Sequence, residues 1–190
     1  QYVENRDELV AEFIRLKGRG VCTSAECPSC SEKAPALYRC LECFSVNLVC
    51  STCCIRMHAH NPLHSIEVGA WWTGTFFQRT SLRALGLRVQ FGHEDGSSCT
   101  SPEKGPIKFA VIASNGLHHV NIDFCGCARG ASVPHWKQLL RQRWFPATVD
   151  RSRTCATFHV LNIFHKMTLE GKVTSFDFYN GLEKLSDNTG

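Results

Sequence analysis

Cys27-Pro28-Ser29-Cys30, Cys40-Leu41-Glu42-Cys43 and Cys50-Ser51-Thr52-Cys53, followed by His58 and His64, are the stretch on which the reading of this chain turns. A two-residue spacer lets a tight turn aim two thiolates at one ion, so three such knuckles and two histidines supply eight soft or borderline ligands. Eight is enough to close two tetrahedral zinc sites with no position left for water, which points to structural zinc. One pairing is a cross-brace, with Cys27, Cys30, Cys50 and Cys53 around one ion and Cys40, Cys43, His58 and His64 around the other. A sequential pairing remains open. His60 competes with His58, and His58 is preferred on its reach from the last knuckle. Cys54 reads as a small buried hydrophobe and Cys22 as a spare thiol outside the spacing.

Working outward, the 190-residue chain has room for a small metal-stapled module and an ordinary hydrophobic core. Its 43% hydrophobic and 20% charged residues are those of a globular, soluble protein, and no apolar run is long enough to cross a bilayer. The formal charge of +4 permits nucleic-acid contact without demanding it. Twelve cysteines could signal a disulfide scaffold, but their mixing with histidines at knuckle spacing fits bound metal and a reducing compartment better. No targeting segment is visible. Beginning at Gln1 and stopping at Asp187-Asn188-Thr189-Gly190 after a helical pattern, the chain reads as a piece of a longer protein.

Before the knuckles, Leu9, Val10, Phe13, Ile14 and Leu16 recur on one side of a helix from Asp7 to Lys17, ended by Gly18 and Gly20 and expected to pack. Tyr38-Arg39 and Leu48-Val49 look like short strands. Trp71, Trp72, Phe76 and Phe77 then form an aromatic cluster, read as a hydrophobic wall in preference to a base-stacking platform. Leu87 to Phe91, Ile107 to Ala113 and Val120 to Phe124 read as a three-stranded antiparallel meander with its hairpin turn at Asn115-Gly116. The meander puts His93, Cys99, Cys125 and Cys127 at one end of the sheet and His118 and His119 at the other, roughly 20 Å away. A third zinc site at the first end is therefore coherent, with Gly126 letting two thiolates converge; the alternative is four ordinary reduced side chains.

The C-terminal part reads as helical. One helix follows Pro134 through Trp136, Leu139, Leu140 and Trp144 to a break at Phe145-Pro146. A second runs from about Thr154 to Leu169, and a third from Thr174 carries Phe178, Leu182 and Leu185. Lys137, Arg141, Arg143, Arg151 and Arg153 gather near the break as a basic surface that could meet phosphate. The expected fold is α+β, a small cross-braced zinc module followed by a short antiparallel β-meander and a C-terminal helical segment. Its expected parts are 1–25, 26–67, 68–132 and 133–190.

The knuckle run resembles B-box-like and related treble-ribbon fingers, which use the cross-brace. The larger order of features is also distinctive. Cys53-Cys54-Ile55-Arg56-Met57-His58 and Pro62-Leu63-His64 are followed by Trp72 with Gly74-Thr75-Phe76, then by the run from Gly86 to His93. Asn115-Gly116-Leu117-His118, Phe124-Cys125-Gly126-Cys127, Arg143-Trp144-Phe145-Pro146-Ala147-Thr148, Thr157-Phe158 and Asp177-Phe178-Tyr179 come after. Together they resemble the cysteine-cluster region associated with the KDZ (Kyakuja, Dileera, Zisupton) transposases of fungi. The resemblance implies a nuclear, zinc-binding module lying ahead of a transposase catalytic region similar to RNase H-like nucleases. No such catalytic core can be placed here, so no enzymatic activity is expected of this region itself. The implied partners are transposon DNA, the downstream catalytic region, and a protein partner or second copy; no membrane and no small-molecule substrate is expected.

Overall fold

A computed structural model describes residues 2–20, 22, 24–45, 47–69, 77–91, 93, 97–127 and 133–186. The described residues form a mixed α+β fold with five helices and two sheets, divided into two compact units, 1–85 and 86–190.

The first unit holds α1 (Arg6–Lys17), β1 (Tyr38–Cys40), α2 (Ser51–Met57), β2 (Ile66–Val68) and β3 (Gln78–Thr80). The strands form an antiparallel sheet in sequence order, and Val49 adds a single bridge to Tyr38. The interior is small: Ile66, Leu48, Val49, Ala36, Leu82 and the ligand-type cysteines account for it. Three-residue strands bury too little apolar surface to hold a fold alone.

The helix expected at Asp7–Lys17 is there, but the expected packing of its apolar stripe is not. None of its residues is buried, and Phe13 and Ile14 are 67% and 63% exposed. What α1 does have is an anchor at its C-terminal end. Arg39 on β1 donates from Nη1 to the carbonyls of Leu16 at 2.8 Å and Gly18 at 2.7 Å, pairs with Glu67 opposite it on β2, and lies over the Phe77 ring at 3.8 Å. A guanidinium at the last carbonyls satisfies orphan acceptors and complements the helix dipole. The expectation for the aromatic cluster falls mostly outside the described residues, since Trp71, Trp72 and Phe76 lie there; so do Gly74-Thr75 and Asp187–Gly190.

The second unit is a six-stranded sheet flanked by helices. In chain order its elements are β4 (Arg88–Gln90), β5 (Pro102–Lys104), β6 (Phe109–Ala113), β7 (Gly116–Cys125), α3 (His135–Arg141), β8 (Trp144–Pro146), β9 (Thr154–Thr157), α4 (Phe158–Gly171) and α5 (Ser175–Ser186). The strand order is β4-β7-β6-β9-β8, with β5 paired to the end of β7. The three strands expected from the sequence are neighbours in a different order: β4 lies parallel to β7, so the long strand β7 and not β6 occupies the middle. The hairpin pairs Ala113 with Gly116, which centres the turn on Ser114-Asn115 and leaves the left-handed conformation, φ +130°, to Gly116.

Two further strands lie where helix or a break was expected. Trp144-Phe145-Pro146 is edge strand β8, and Thr154-Cys155-Ala156-Thr157 is β9, parallel to β6 and antiparallel to β8. The helix expected from about Thr154 begins at Phe158, because Thr157 is its cap and accepts from Val160 N at 3.2 Å. Strand pairing outweighs the apolar periodicity that runs straight through this junction.

Phe109, Val111, Ile122, Phe124, Leu139, Cys155 and Val160 form the core, all 2% exposed or less. Phe91 joins Phe124 and Trp144 through ring contacts at 5.8 and 5.2 Å, and the ring of His135 stacks on Phe124 at 3.9 Å. α4 and α5 touch through Phe164 and Phe178, and Ser186 of α5 accepts from the backbone N–H of Leu117 at the start of β7. Because Phe109 is fully buried at the centre of this sheet, Phe109→Ala is expected to destabilise the second unit by about 3–5 kcal/mol. Denaturant unfolding followed by amide exchange at β6 and β7 checks this, and an unchanged exchange rate there would contradict the assigned core.

Candidate metal centres

Three groups of four side chains bring their ligand atoms within 4.8 Å of one another, and each could hold a metal ion. The first is Cys27, Cys30, Cys50 and Cys53; the second is Cys40, Cys43, His58 and His64; the third is His93, Cys99, Cys125 and Cys127.

In the first group, the chain around Cys27 is turned by the backbone bond Cys27 N to Ala34 O at 2.8 Å. Cys50 caps α2, its sulfur accepting from Cys53 N at 3.5 Å, so one helical turn sets the second pair. Sγ of Cys30 lies 3.9 Å from that of Cys50, which joins the first knuckle to the third. Arg56 reaches Cys53 Sγ at 3.6 Å and Ser29 O at 3.1 Å, tying the two segments together.

In the second group Cys40 stands at the end of β1, and its sulfur accepts from the N–H groups of Glu42 and Cys43 at 3.4 and 3.3 Å. His58 is 2% exposed, and its Nδ1 donates to Cys54 O at 2.8 Å, leaving Nε2 3.4 Å from Cys43 Sγ. His64 Nδ1 lies 3.4 Å from Cys40 Sγ and 3.5 Å from Cys43 Sγ. His60 is exposed and outside the group, and Cys54 is fully buried beside it. The knuckle order in space is thus first with third and second with the histidines.

The third group gathers at one end of the sheet. Cys125 closes β7, Cys127 follows across Gly126, and Cys99 and His93 come from the connection between β4 and β5. His93 Nε2 is 3.3 Å from Cys127 Sγ, the Cys125 and Cys127 sulfurs are 3.3 Å apart, and Cys99 and Cys125 are 3.5 Å apart. Gly126 N donates to Ser101 O at 3.1 Å, and a Cβ on Gly126 would stand 3.0 Å from that oxygen. His118 and His119 lie at the opposite end of β7, where the His118 ring meets Asn115 Oδ1 at 2.8 Å.

These separations decide what the groups can be. Disulfide sulfurs lie about 2.05 Å apart, and all twelve cysteines are free. Ligands at about 2.3 Å for sulfur and 2.0–2.1 Å for nitrogen around a tetrahedron stand about 3.5–3.8 Å from one another. The distances of 3.3 to 3.9 Å match such edges. The donor sets are all cysteine in the first group, two cysteines with two histidines in the second, and three cysteines with one histidine in the third. Around a tetrahedral ion each would fill all four positions with protein side chains.

Crowding within each group pushes its titrating side chains apart in proton affinity. In the first group, burial and then hydrogen bonds from its companion thiols push Cys53 up to about 12. For Cys27 burial is also the largest influence, but the N–H groups of Cys50 and Ser29 and the neighbouring thiols outweigh it and bring the thiol down to about 7. In the second, the Cys40 sulfur raises His58 to about 11, while burial holds His64 below the ordinary imidazole range. In the third, burial and then Cys127 raise Cys125 to about 11. Packed thiols divide in this way because one anion disfavours the next, and a divalent ion removes that conflict.

Some supporting groups carry no signal of their own in the sequence. Ser97 Oγ lies 2.8 Å from His93 Nδ1, and Glu42 accepts from Ser65 N at 2.8 Å, fixing the chain next to His64. A serine in a polar loop and a glutamate inside a knuckle look like ordinary surface residues until the fold brings them to a ligand.

Comparison with known proteins gives one finding. A family described as a CxC2-like cysteine cluster associated with KDZ transposases matches residues 82–190, more than half of the chain. No curated protein and no solved structure matches it.

The raised groups make a prediction about loading. At pH 7 the metal-free protein holds protons on Cys53, His58 and Cys125, so metal binding must expel them, and affinity falls as pH is lowered. Titrating metal-free protein with cobalt(II) in weak buffer should release protons at every centre, with tighter binding at pH 8 than at pH 6. Binding that is independent of pH would rule these ligands out.

Proposed function

The chain belongs to the family of CxC2-like cysteine clusters associated with KDZ transposases, and we propose that it is a zinc-folded, non-catalytic module that brings a transposase of that type to DNA. The observation that carries the metal part is the convergence of three complete four-ligand groups. Zinc is the ion chosen, since closed tetrahedral sets of four cysteines, or of cysteines completed by one or two histidines, are its usual structural environments. In this reading all twelve residues are ligands, the module works beside a downstream catalytic region, and the setting is nuclear. The proposed division of labour is a lead-in over 1–25, a two-zinc cluster over 26–67, a β region with the third zinc over 68–132, and a helical segment over 133–190.

DNA contact is supported by the basic side chains around the turn into β8 and the β8–β9 connection. Lys137, Arg141, Arg143, Arg151 and Arg153 are all exposed, as are the rings of Phe145 and Phe158, and Arg143 shares a surface hollow with Phe158. Exposed guanidinium groups beside aromatic surface suit a phosphate backbone. A second reading, a zinc-dependent protein-interaction module, has its own support in the bare apolar side of α1, where Phe13 and Ile14 face solvent.

Two measurements test these proposals. Elemental analysis of the purified chain should give three zinc ions per molecule; two would remove the His93, Cys99, Cys125 and Cys127 site, and none would overturn the scheme. Titration with random and transposon-end duplexes at two salt concentrations should show affinity that drops steeply as salt rises. Absence of any salt-sensitive affinity would sink the DNA reading in favour of a protein partner.

A further inference from the structure

Two ligand cysteines of the third group are held by one device, repeated. Cys125 ends β7, with Pro102 of β5 opposite it on one side and β4 already ended on the other. Alternation along the strand turns its N–H and C=O toward β4, on the same side as those of Asp123, whose carbonyl accepts from Phe91 N at 2.8 Å. The β4 strand itself ends at Gln90, opposite Asp123, and has no strand residue opposite Cys125 on that side.

The carboxamide of Gln138 takes the missing strand's place. Its Oε1 accepts from Cys125 N at 2.8 Å, and its Nε2 donates to Cys125 O at 3.2 Å and to Val133 O at 3.0 Å. Gln138 is only 1% exposed, on the buried side of α3 beside Leu139. A fully buried amide among apolar side chains is retained only when its hydrogen bonds are made, and here two of the three reach the backbone of Cys125 itself. At the partner cysteine the pattern recurs. Gln90 Oε1 accepts from Cys99 N at 3.0 Å, and its Nε2 donates to Cys99 O at 3.4 Å. The two sulfurs so held are 3.5 Å apart.

We propose that Gln138, with Gln90 in support, is a positioning residue of the third metal centre. Each side-chain amide grips the peptide groups of one ligand cysteine by both donor and acceptor and so fixes the direction of its thiolate. A carboxamide is the side chain that copies a peptide unit, offering one acceptor and two donors on a plane. It fixes the backbone without competing for the ion, as a carboxylate or imidazole would. The inference rests on the metal reading above and goes beyond it by naming what holds the site together.

The test is a cobalt(II) titration of the full 190-residue chain against a competing chelator, followed by the thiolate-to-cobalt charge-transfer and ligand-field bands. The third centre, with three thiolates and one imidazole, is distinguished by its own ligand-field pattern from the all-thiolate first centre and the mixed second. Gln138→Leu is expected to weaken the third centre about 10–100-fold, the range typical of lost outer-shell partners, and Gln90→Ala to weaken it less, with the other two centres unchanged. The first two centres lie in the other unit, so the control for a packing role is amide exchange at β6 and β7: weakened third-centre bands with that exchange unchanged support positioning, and weakening matched by faster exchange makes Gln138 a packing residue and overturns the proposal. Should Gln138→Leu fail to fold, Gln90→Ala at its exposed position carries the test by the same bands. Unaltered affinity of the third centre in the variants that fold would overturn the proposal while leaving three-ion loading intact. Loading of only two ions by the unsubstituted chain would instead overturn the metal reading, and this inference with it.

Discussion

The structure depends on convergence of ligand atoms from chain segments that have little else to hold them together. In the first unit Cys30 meets Cys50 across twenty residues, and Cys40 meets His64 across twenty-four. Closing loops of this size carries an entropic penalty that three-residue strands and one seven-residue helix cannot offset. The interleaved order of the two groups matters as well. Because the first knuckle pairs with the third and the second with the histidines, neither group can form without bringing the segment of the other close, so the two loops close together.

The second unit divides the work differently. Its sheet and α3 enclose a real apolar centre in Phe109, Val111, Ile122 and Leu139, and the third group sits at the sheet's end, outside that centre. Here the fold positions the ligands. The long strand β7 delivers Cys125, β4 and β5 flank it, and Gly126 permits the close turn to Cys127. One unit is thus organised by its ligand groups, and the other presents a ligand group on an already built sheet.

This contrast explains what could be read from the sequence. Knuckle spacing is a local code, and so is alternation along Val120 to Phe124; both survive without knowledge of the fold. The parallel neighbours of β7 and β6 are set by pairing between distant segments, which no window of sequence contains. Thr154-Cys155-Ala156-Thr157 continues the apolar rhythm of the following helix, and only its pairing with β6 and β8 makes it a strand. The apolar stripe of α1 was legible as helix, while its exposure was not, because periodicity states which side is apolar and not whether anything covers it. Gln138 and Gln90 are the extreme case: nothing about a glutamine announces that its amide will stand in for a missing strand.

Charge sets the terms on which such a module could meet DNA. The formal charge of +4 counts every thiol as neutral. Three divalent ions held by the nine cysteines and three histidines of the groups would bring six positive charges against nine thiolates, lowering the net charge of the loaded chain from +4 to +1. Bulk charge would then contribute almost nothing to attraction, and a loaded all-thiolate first centre would itself be locally anionic. Any affinity for a phosphate backbone must therefore come from how the cations are placed. Five exposed basic side chains fall between Lys137 and Arg153 in the sequence. If all five met phosphates, counterion release would limit the salt dependence to a slope of about −4 to −5 on logarithmic axes. A steeper slope would demand cations from elsewhere in the chain or from a second copy, so the slope reports how much of the basic surface is engaged.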